Sequence, residues 1–212
     1  MRVGLLTYAL DRPLSGIGRY TVELAQALTA LAHGPELVLL TAGGPGALHG
    51  ARPRLHLPGC RLLPGLLLAG SALIPRAARR LSLDLIHDPT GVTPFALGCG
   101  GAKAVVTVHD AFPWSCPGHS TLLDTLIYRH WLPRALPRVD GVLTDSQASR
   151  ADLIRYLKAP VEKVRVVPAG VSAAYRPRST QEVAGARARY QLPAGYIPVS
   201  YTHLTLPTIY SV

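Results

Sequence analysis

Short apolar segments alternate with longer amphipathic segments along most of this chain, and this alternation limits the folds that it can adopt. Apolar runs of strand length predict strands buried on both faces, and apolar residues at helical spacing predict helices that cover a sheet. The predicted strands are 3–8, 36–41, 54–57, 83–87, 104–108, 141–144 and 163–167. The predicted helices follow Gly16, span 66–81 with a break at Pro75, span 122–136 with a disturbance at Pro133, and run from Ser146 to Leu157. This order predicts an α/β protein with a doubly wound, mostly parallel sheet and right-handed crossovers.

The composition is that of a globular protein with a sizeable core. Of the 212 residues, 48% are hydrophobic and only 16% are charged. The cysteines at 60, 99 and 116 are odd in number and form no Cys-x-x-Cys pair. This usage argues against a disulfide framework or a structural zinc and favours a reducing, cytoplasmic location. Because Met1 leads directly into the first strand, we expect no signal peptide.

A glycine-containing loop separates the first strand from the first helix. Gly16 and Gly18 stand where the helix begins, and glycine lets a phosphate or a sugar hydroxyl approach the backbone N–H groups there. A tight turn that binds nothing explains the same residues equally well. Two specific motifs are excluded. Thr21 stands where a dinucleotide fingerprint has its third glycine, and Arg19 follows Gly18 where a Walker loop has lysine.

Polar side chains follow four of the predicted strands at the point where each strand ends. The first strand is followed by the Gly16–Gly18 loop, which offers polar backbone groups. The other three are followed by His87-Asp88, His109-Asp110 and Asp145-Ser146. Because ligands bind at the carboxyl ends of the strands in doubly wound sheets, we expect His109 and the Gly16–Gly18 loop at the same edge. The alternatives are that Asp88 and Asp110 bond only to nearby backbone and that Ser146 only caps a helix. His109 is harder to explain in this way, because a His-Asp pair after a buried strand is costly to bury without a partner or a ligand.

The formal net charge of +10 limits the classes of partner. The densest basic group, Arg76, Arg79 and Arg80, lies on one short helix, and basic residues are not interleaved with stacking aromatics. We therefore expect no nucleic acid, and favour anionic lipids or phosphorylated substrates. Residues 62–74 are apolar but too short to span a bilayer, so they predict a core helix or a helix on a membrane surface. Metal-binding spacings are also missing from the sequence, so no metal is expected.

Four stretches of the sequence indicate a protein family more specifically in combination than each does alone. They are Ser-Gly-Ile-Gly-Arg-Tyr (15–20), Ile-His-Asp-Pro (86–89), Val-Thr-Val-His-Asp-Ala-Phe-Pro (106–113) and Thr-Asp-Ser-Gln-Ala-Ser-Arg-Ala-Asp-Leu (144–153). In this order and spacing they resemble the N-terminal half of GT-B glycosyltransferases of the family-4-like group. Residues 163–171 also resemble the last strand of that half, although Ala169 stands where the family usually has Asn. The resemblance implies a Rossmann-like N-terminal GT-B domain.

The resemblance also implies an activity and a site. The reaction would transfer a sugar from a nucleotide-sugar donor to an acceptor hydroxyl of a glycan, a lipid or a small molecule, with retention at the anomeric carbon and without a cofactor or metal. His109 would be the catalytic residue beside the donor sugar, and Asp110 would orient that strand end. Gly16 and Gly18 would line the crevice near the donor diphosphate and the acceptor. The secondary candidates for binding contacts are Arg19 and Ser146.

The likeness divides the chain into three parts and stops near Ile197. Residues 1–172 would be the acceptor-side domain, and 173–198 would be a linker and the start of a second domain that holds the nucleotide. Residues 199–212 resemble a translated transposase-type sequencing adapter, so we expect them to be non-native. On this interpretation most of the donor site is missing, and the fragment is inactive alone.

Two other classes of function stay open. One is a nucleotide-binding Rossmann-like module without transferase activity, against which the missing third glycine counts. The other is a basic protein at the inner face of the cell membrane. An exposed apolar face within residues 62–80 would favour this last class.

Overall fold

The computed structural model describes residues 1–10, 15–43, 48, 53–115, 120–172, 174–193 and 195. The tail that resembles an adapter, 199–212, lies outside these ranges, and so do the turn residues 11–14 and Cys116. Of the described residues, those from Met1 to Gly170 form one compact unit, and those from Val171 onwards form a second. Among the residues described, no helix combines the length and the hydropathy needed to cross a bilayer.

Seven parallel strands form a single sheet in the order β3-β2-β1-β4-β5-β6-β7. The strands are β1 (Arg2–Leu6), β2 (Glu36–Thr41), β3 (Arg54–His56), β4 (Leu85–Asp88), β5 (Lys103–Thr107), β6 (Gly141–Thr144) and β7 (Val164–Val166). The predicted α/β, doubly wound fold is confirmed, and the sheet is parallel in every described pairing.

Helices follow most of the strands. They are α1 (Gly16–Ala30), α2 (Leu63–Gly65), α3 (Ser71–Leu81), α4 (Phe112–Ser115), α5 (Leu122–Leu126), α6 (Leu132–Ala135), α7 (Gln147–Leu157) and, in the second unit, α8 (Thr180–Tyr190). Two π-helical turns interrupt this series, Leu66–Gly70 before α3 and Ile127–Trp131 before α6. A 3₁₀ turn, Leu136–Arg138, completes the helical run that begins at α5.

The two internal prolines behave differently from each other. The predicted break at Pro75 is wrong, because Pro75 is buried inside α3 and the helix continues to Leu81. The predicted disturbance near Pro133 is confirmed, since the Ile127–Trp131 π turn ends just before it. Proline lacks an N–H and crowds the carbonyl four residues earlier, and in both runs the widened turn lies on that N-terminal side.

Both faces of the sheet are covered by apolar side chains. Alternate residues of a strand point to opposite faces. One face carries Val3, Leu5, Leu37 and Leu39, which pack with Val22 and Ala25 of α1. The other carries Leu6, Val38, Leu40, Ile86 and Val106, which pack in one core with Ile74 of α3 and with Leu132 and Leu153. The burial of residues 3–6 in β1 and 37–40 in β2 explains why these stretches are uninterrupted apolar runs.

The strand order fixes where a ligand can bind. From β1 the sheet extends through β2 and β3 on one side and through β4 to β7 on the other, so β1 and β4 flank the point where the winding reverses. In doubly wound sheets the loops that leave the two central strands diverge there and open a crevice at the carboxyl edge. The loops after β1, β4, β5 and β6 begin at this edge.

Candidate active site

His109 follows β5 and is held between two acceptors from neighbouring strand ends. Its Nδ1 lies 2.6 Å from Asp145 Oδ2, after β6, and its Nε2 lies 3.1 Å from the carbonyl oxygen of Pro89, after β4. Both partners are oxygen atoms from neighbouring strand ends, so the two contacts together fix the orientation of the ring. The His109 side chain keeps 18% of its surface exposed, so it is oriented by the protein and still open to the crevice.

Tyr20 brings the first helix to the same place. Its ring packs edge-on against the His109 imidazole, with centroids 4.9 Å apart and an interplanar angle of 87°. Its hydroxyl lies 3.4 Å from Thr107 Oγ1 at the end of β5. Burial is the main reason that the pKa of Tyr20 lies above its usual value. The structure therefore places His109 and the start of α1 at one edge of the sheet, as expected from the strand ends.

His87 is the buried partner of Thr107. Its Nε2 lies 2.9 Å from Thr107 Oγ1, and 6% of the residue surface is exposed. Desolvation, with a smaller effect of His109, lowers the pKa of His87 to about 4. The ring is therefore neutral at neutral pH, and its place in the site is structural: it holds Thr107, which in turn contacts Tyr20.

This burial predicts a measurable acid sensitivity. The pKa of His87 falls from 6.5 to about 4 on folding, so the unfolded chain takes up the proton first as the pH drops. The free energy of unfolding is therefore highest above pH 6.5, where His87 is neutral in both states, and it falls as the pH drops from 6.5 towards 4. Between about pH 7.5 and about pH 4.5, we expect the free energy of unfolding to fall by roughly 2 to 3 kcal/mol more in the wild type than in His87→Gln. Urea unfolding at both pH values measures the difference, and an equal fall in the two proteins would contradict a neutral, buried His87.

Asp88 has a structural role. Its Oδ1 accepts from the backbone N–H of Thr90 at 2.9 Å and from the hydroxyl of Thr90 at 2.6 Å, and its Oδ2 accepts from the N–H of Thr93 at 2.7 Å. Burial raises the pKa of Asp88 and is the largest effect on it. The hydrogen bonds from Thr90 and Thr93 act in the opposite direction. Asp88 thus orders the loop that presents the Pro89 carbonyl to His109. The alternative noted from sequence, that Asp88 bonds nearby backbone, describes it correctly.

The glycine loop is only in part the open site that its sequence suggests. Ser15 is the N-cap of α1 and accepts from the backbone N–H of Gly18 at 3.2 Å, so this N–H is not free for a ligand. Gly18 is buried, whereas Gly16 is exposed and a Cβ placed on it would meet no atom of the described residues within 4 Å. Arg19 is exposed and lies 3.6 Å from Glu23 on the same helix. Gly16 is therefore the glycine that faces open space.

The two remaining sequence candidates stabilise strand ends. Asp110 is exposed, and its Oδ1 accepts from the backbone N–H of Phe112 at 2.9 Å. Ser146 caps α7 by accepting from the backbone N–H of Ser149 at 3.0 Å, which agrees with the cap considered for it from the sequence. Neither side chain has a described contact with His109.

Asp145 orients His109, a role that the sequence did not predict. It was recognised as a strand-end residue, but the resemblance gave it no role, and its contact with His109 joins positions 36 apart in the chain. Its second oxygen, Oδ1, is buried and has no hydrogen-bond partner among the residues that the structure covers. A buried carboxylate oxygen without a partner is uncommon. His87, Thr107, Tyr20 and the Pro89 carbonyl were likewise not predicted as parts of one network.

No group of three or more His, Cys, Asp or Glu side chains within the described ranges is arranged to hold a metal ion. The histidine nitrogens at the carboxyl edge that have described contacts are bonded to protein oxygens.

Comparison with a family model and with a curated relative points to glycosyltransferases in both cases. Residues 14–175 match the family model described as Glycosyltransferase Family 4. The O-antigen chain mannosyltransferase B of Escherichia coli is 28% identical over 214 aligned residues, which cover 91% of this chain and 53% of that protein. The chain therefore spans about half the length of this curated relative.

Solved structures show the same fold. Anabaena HepE, in complex with UDP and glucose, superposes with a TM-score of 0.64 at 18% identity, over 90% of this chain and 50% of that chain. Sucrose-phosphate synthase from Thermosynechococcus elongatus gives a TM-score of 0.66 at 18% identity, over 91% and 53%. WaaG, a glycosyltransferase of lipopolysaccharide biosynthesis, gives 0.63 at 15% identity, over 91% and 52%.

Proposed function

We propose a function for this chain from the premise that it belongs to glycosyltransferase family 4. The chain would form the acceptor-side half of an enzyme that transfers a sugar from a nucleotide-sugar donor to an acceptor hydroxyl, with retention at the anomeric carbon. The observation that carries the proposal is the fixed orientation of His109 at the carboxyl edge of the sheet, beside the point where the winding reverses. The half that would hold the nucleotide corresponds to the part of the relatives that this chain does not cover.

The donor class is supported by what the relatives bind. HepE has been solved with UDP and with UDP-glucose, and the curated relative is named a mannosyltransferase. A hexose carried by a nucleoside diphosphate is therefore the donor that we propose. The acceptor would be a glycan, a lipid or a small molecule with a free hydroxyl group.

Some of the site residues would contact the substrates, and others would hold the surrounding loops in place. His109 would lie beside the donor sugar, where a preorganised polar group acts on the charge that develops as the diphosphate leaves. Gly16 would leave room for the substrate at the start of α1. Asp110 and Ser146 would keep the loops after β5 and β6 in place through their backbone hydrogen bonds. Gly18 and Arg19 would shape the first turn of α1.

A transfer assay on a two-domain protein tests the proposal. Residues 1–197 would be joined to the C-terminal half of the E. coli mannosyltransferase relative, and the chimera would be offered UDP- and GDP-hexoses with candidate acceptors. Acceptor-dependent release of nucleoside diphosphate is expected. Tight nucleotide binding by the 212-residue chain itself, with no sugar transfer by the chimera to any acceptor, would instead favour the nucleotide-binding module. The anomeric configuration of the product decides between retention and inversion.

Gly16→Val is expected to separate substrate binding from folding. A Cβ at Gly16 meets no atom within 4 Å in the part of the chain that the structure describes, so the stability of the chain should change little. In the chimera the added side chain would fill space at the start of α1, the helix whose Tyr20 contacts His109, and we expect kcat/KM to fall on the order of 10-fold or more. The matched control is Gly185→Val in α8, another glycine with no described atom within 4 Å of an added Cβ. Unchanged kinetics in Gly16→Val would show that no substrate passes this loop.

Peripheral association with an anionic membrane, at its cytoplasmic face, belongs to the same proposal. The net charge of +10 supports the attraction to anionic lipids. The free thiols of Cys60 and Cys99 support the cytoplasmic side of the membrane, which is reducing. Within 62–80, Leu62 and Leu68 are 66% and 78% exposed, whereas Leu66, Ile74 and Pro75 are buried in the core. Most of that segment is thus a core helix, and its exposed leucines are isolated.

A further inference from the structure

One of the two contacts that orient His109 comes from the backbone of a loop. His109 Nε2 lies 3.1 Å from the carbonyl oxygen of Pro89, the first residue after β4. We call residues 89–95 the 89–95 loop. A backbone carbonyl lies where its loop places it, so the orientation of His109 depends on how the 89–95 loop is held.

The ends of β4 and β5 give this loop its first support. The carboxylate of Asp88 accepts from the loop, including the backbone N–H of Thr93 at 2.7 Å. Gly91 has a φ of 76°, and a Cβ placed on it would lie 3.2 Å from the carbonyl oxygen of Thr107. The 89–95 loop therefore packs closely on the strand end that leads to His109.

Trp131 gives the loop its second support. Its indole Nε1 donates towards three loop oxygens, the Val92 carbonyl at 3.0 Å and the carbonyl and hydroxyl oxygens of Thr93, both at 3.2 Å. The Thr93 hydroxyl itself donates to the Val92 carbonyl at 2.7 Å, so its lone pairs remain for the indole. Asp88 and Trp131 thus hold the same residue, Thr93, one through its N–H and the other through its oxygens.

Thr93 needs this support because its backbone is strained. Its φ of 52° lies in the left-handed region, which glycine adopts freely and a β-branched residue rarely adopts. The residue is also completely buried. Strained conformations persist only where the surrounding contacts determine them, and they cluster at functional sites. Loss of the indole N–H is therefore expected to let the 89–95 loop relax.

The core fixes Trp131 in turn. Trp131 is the last residue of the Ile127–Trp131 π turn, and Leu132, directly after it, is fully buried. Single π turns inside helices are rare and are frequent at functional sites. The same short stretch thus anchors Leu132 in the core and directs the indole N–H to the 89–95 loop. A donor held by core packing can impose a position on the loop that it contacts.

We propose that Trp131 is a positioning residue for His109. Trp131 fixes Val92 and Thr93, and these residues fix the 89–95 loop. The Pro89 carbonyl at the start of that loop then fixes the imidazole ring. Trp131 has no described contact with the ring, so it acts through the loop. The consequence for sugar transfer rests on the proposed function, whereas the consequence for the ring of His109 does not.

Nitrogen-15 NMR of the histidine rings in the 212-residue chain tests the positioning without an activity assay. Trp131→Phe retains an aromatic ring and removes the indole N–H. We expect the His109 Nε2 resonance to move in this variant, because the contact with the Pro89 carbonyl changes. The spectrum of His109→Ala identifies that resonance. The resonances of the exposed His33 should stay where they are in the wild type.

The chain offers a matched control in its other tryptophan. Trp114 is also half-buried, and its Nε1 also donates to a backbone carbonyl, that of Tyr128 at 3.3 Å. Trp114→Phe removes the same N–H and the same side-chain volume, but its acceptor lies outside the 89–95 loop. We expect this control to leave the His109 Nε2 resonance unchanged. Urea unfolding of both variants gives their stability independently.

Kinetics of the two-domain chimera test the consequence for the reaction. Trp131→Phe is expected to lower kcat on the order of 10-fold with little change in KM, because the orientation of His109 is lost and substrate binding is kept. In a His109→Ala background the same change should have little further effect, since no ring remains to be positioned. A merely structural role of Trp131 would lower kcat in both backgrounds. Trp114→Phe should leave kcat unchanged.

Three results would overturn the proposal. An unmoved Nε2 resonance in folded Trp131→Phe would show that the 89–95 loop does not need the indole. Equal movement in the Trp131 and Trp114 variants would indicate a general loss of packing. An equal fall in kcat with and without His109 would mean that Trp131 acts by another route.

A second variant and a separate readout keep the test decisive. If Trp131→Phe does not fold, Thr93→Val removes one acceptor of the same N–H and keeps the β-branched shape. It is expected to move the His109 Nε2 resonance in the same way, and an unmoved resonance would again contradict the proposal. A chimera that transfers no sugar would contradict only the proposed function, because the resonance is measured on the 212-residue chain.

Discussion

The 212-residue chain by itself is expected to transfer sugar on the order of 10³-fold or more slowly than the two-domain chimera, if it does so at all. The reason is geometric. A two-domain transferase holds the donor on one half and the acceptor on the other, and closure brings the reacting atoms into line. Residues 1–170 form one compact unit whose carboxyl edge carries His109 and Gly16, and the chain spans about half the length of its relatives.

The experiment compares the chain, the chimera and the isolated C-terminal half of the E. coli relative at equal concentration. Initial rates of nucleoside diphosphate release, with and without acceptor, measure transfer and hydrolysis separately. Titration calorimetry with UDP and GDP shows whether the chimera has gained a nucleotide site that the chain lacks. Rapid transfer by the chain alone would show that the catalytic site does not need a second half, and would contradict the proposed division of labour.

The strands were predictable because their physical signal is local. Glu36–Thr41 and Gly141–Thr144 agree with the predicted bounds, since each is an apolar run closed by polar or turn-forming residues. The strand predicted over 83–87 begins instead at Leu85, because the N–H of Leu83 still donates to the carbonyl of Ala78 in α3. Alternation of these runs with helices was sufficient for the fold class, and placed the polar strand ends at one edge.

Helix irregularities and caps were less predictable, for two different reasons. The pattern of apolar residues does not reveal where a helix widens into a π turn, so the change at Leu66–Gly70 was misplaced to Pro75. The Ser15 cap, in contrast, was readable. Serine three residues before Gly18 is the spacing of an N-cap, and recognising it would have shown that this N–H is already used.

The contacts that define the site join distant parts of the sequence. His109 meets the Pro89 carbonyl from 20 positions away and Asp145 from 36 positions away, and its ring packs against Tyr20. Strand order decides such contacts, because β4, β5 and β6 are neighbours and their loops start side by side. A sequence can indicate that these strand ends share an edge, but only the fold shows that Asp145 orients His109 while Asp110 turns to its own loop.

Replacement of His109 by alanine is expected to lower kcat of the chimera on the order of 10²-fold or more. The side chain is clamped by Asp145 at 2.6 Å and by the Pro89 carbonyl at 3.1 Å, with the Tyr20 ring against it. Such fixed groups act on developing charge without the cost of reorganisation, so their loss affects kcat more than KM. Initial-rate kinetics over donor and acceptor concentrations measure both constants.

Two further variants show whether His109 acts on the reaction or only supports the fold. Asp145→Asn retains an oxygen that can accept from the ring but loses the charge, so we expect a smaller fall in kcat, on the order of 10-fold. The double variant should fall little below His109→Ala, because Asp145 acts through His109. Arg79→Ala, at an exposed position of α3, should leave turnover unchanged. Urea unfolding of each variant gives its stability independently. Near-normal kcat in His109→Ala, together with a loss of stability, would make His109 a structural residue that ties three strand ends together.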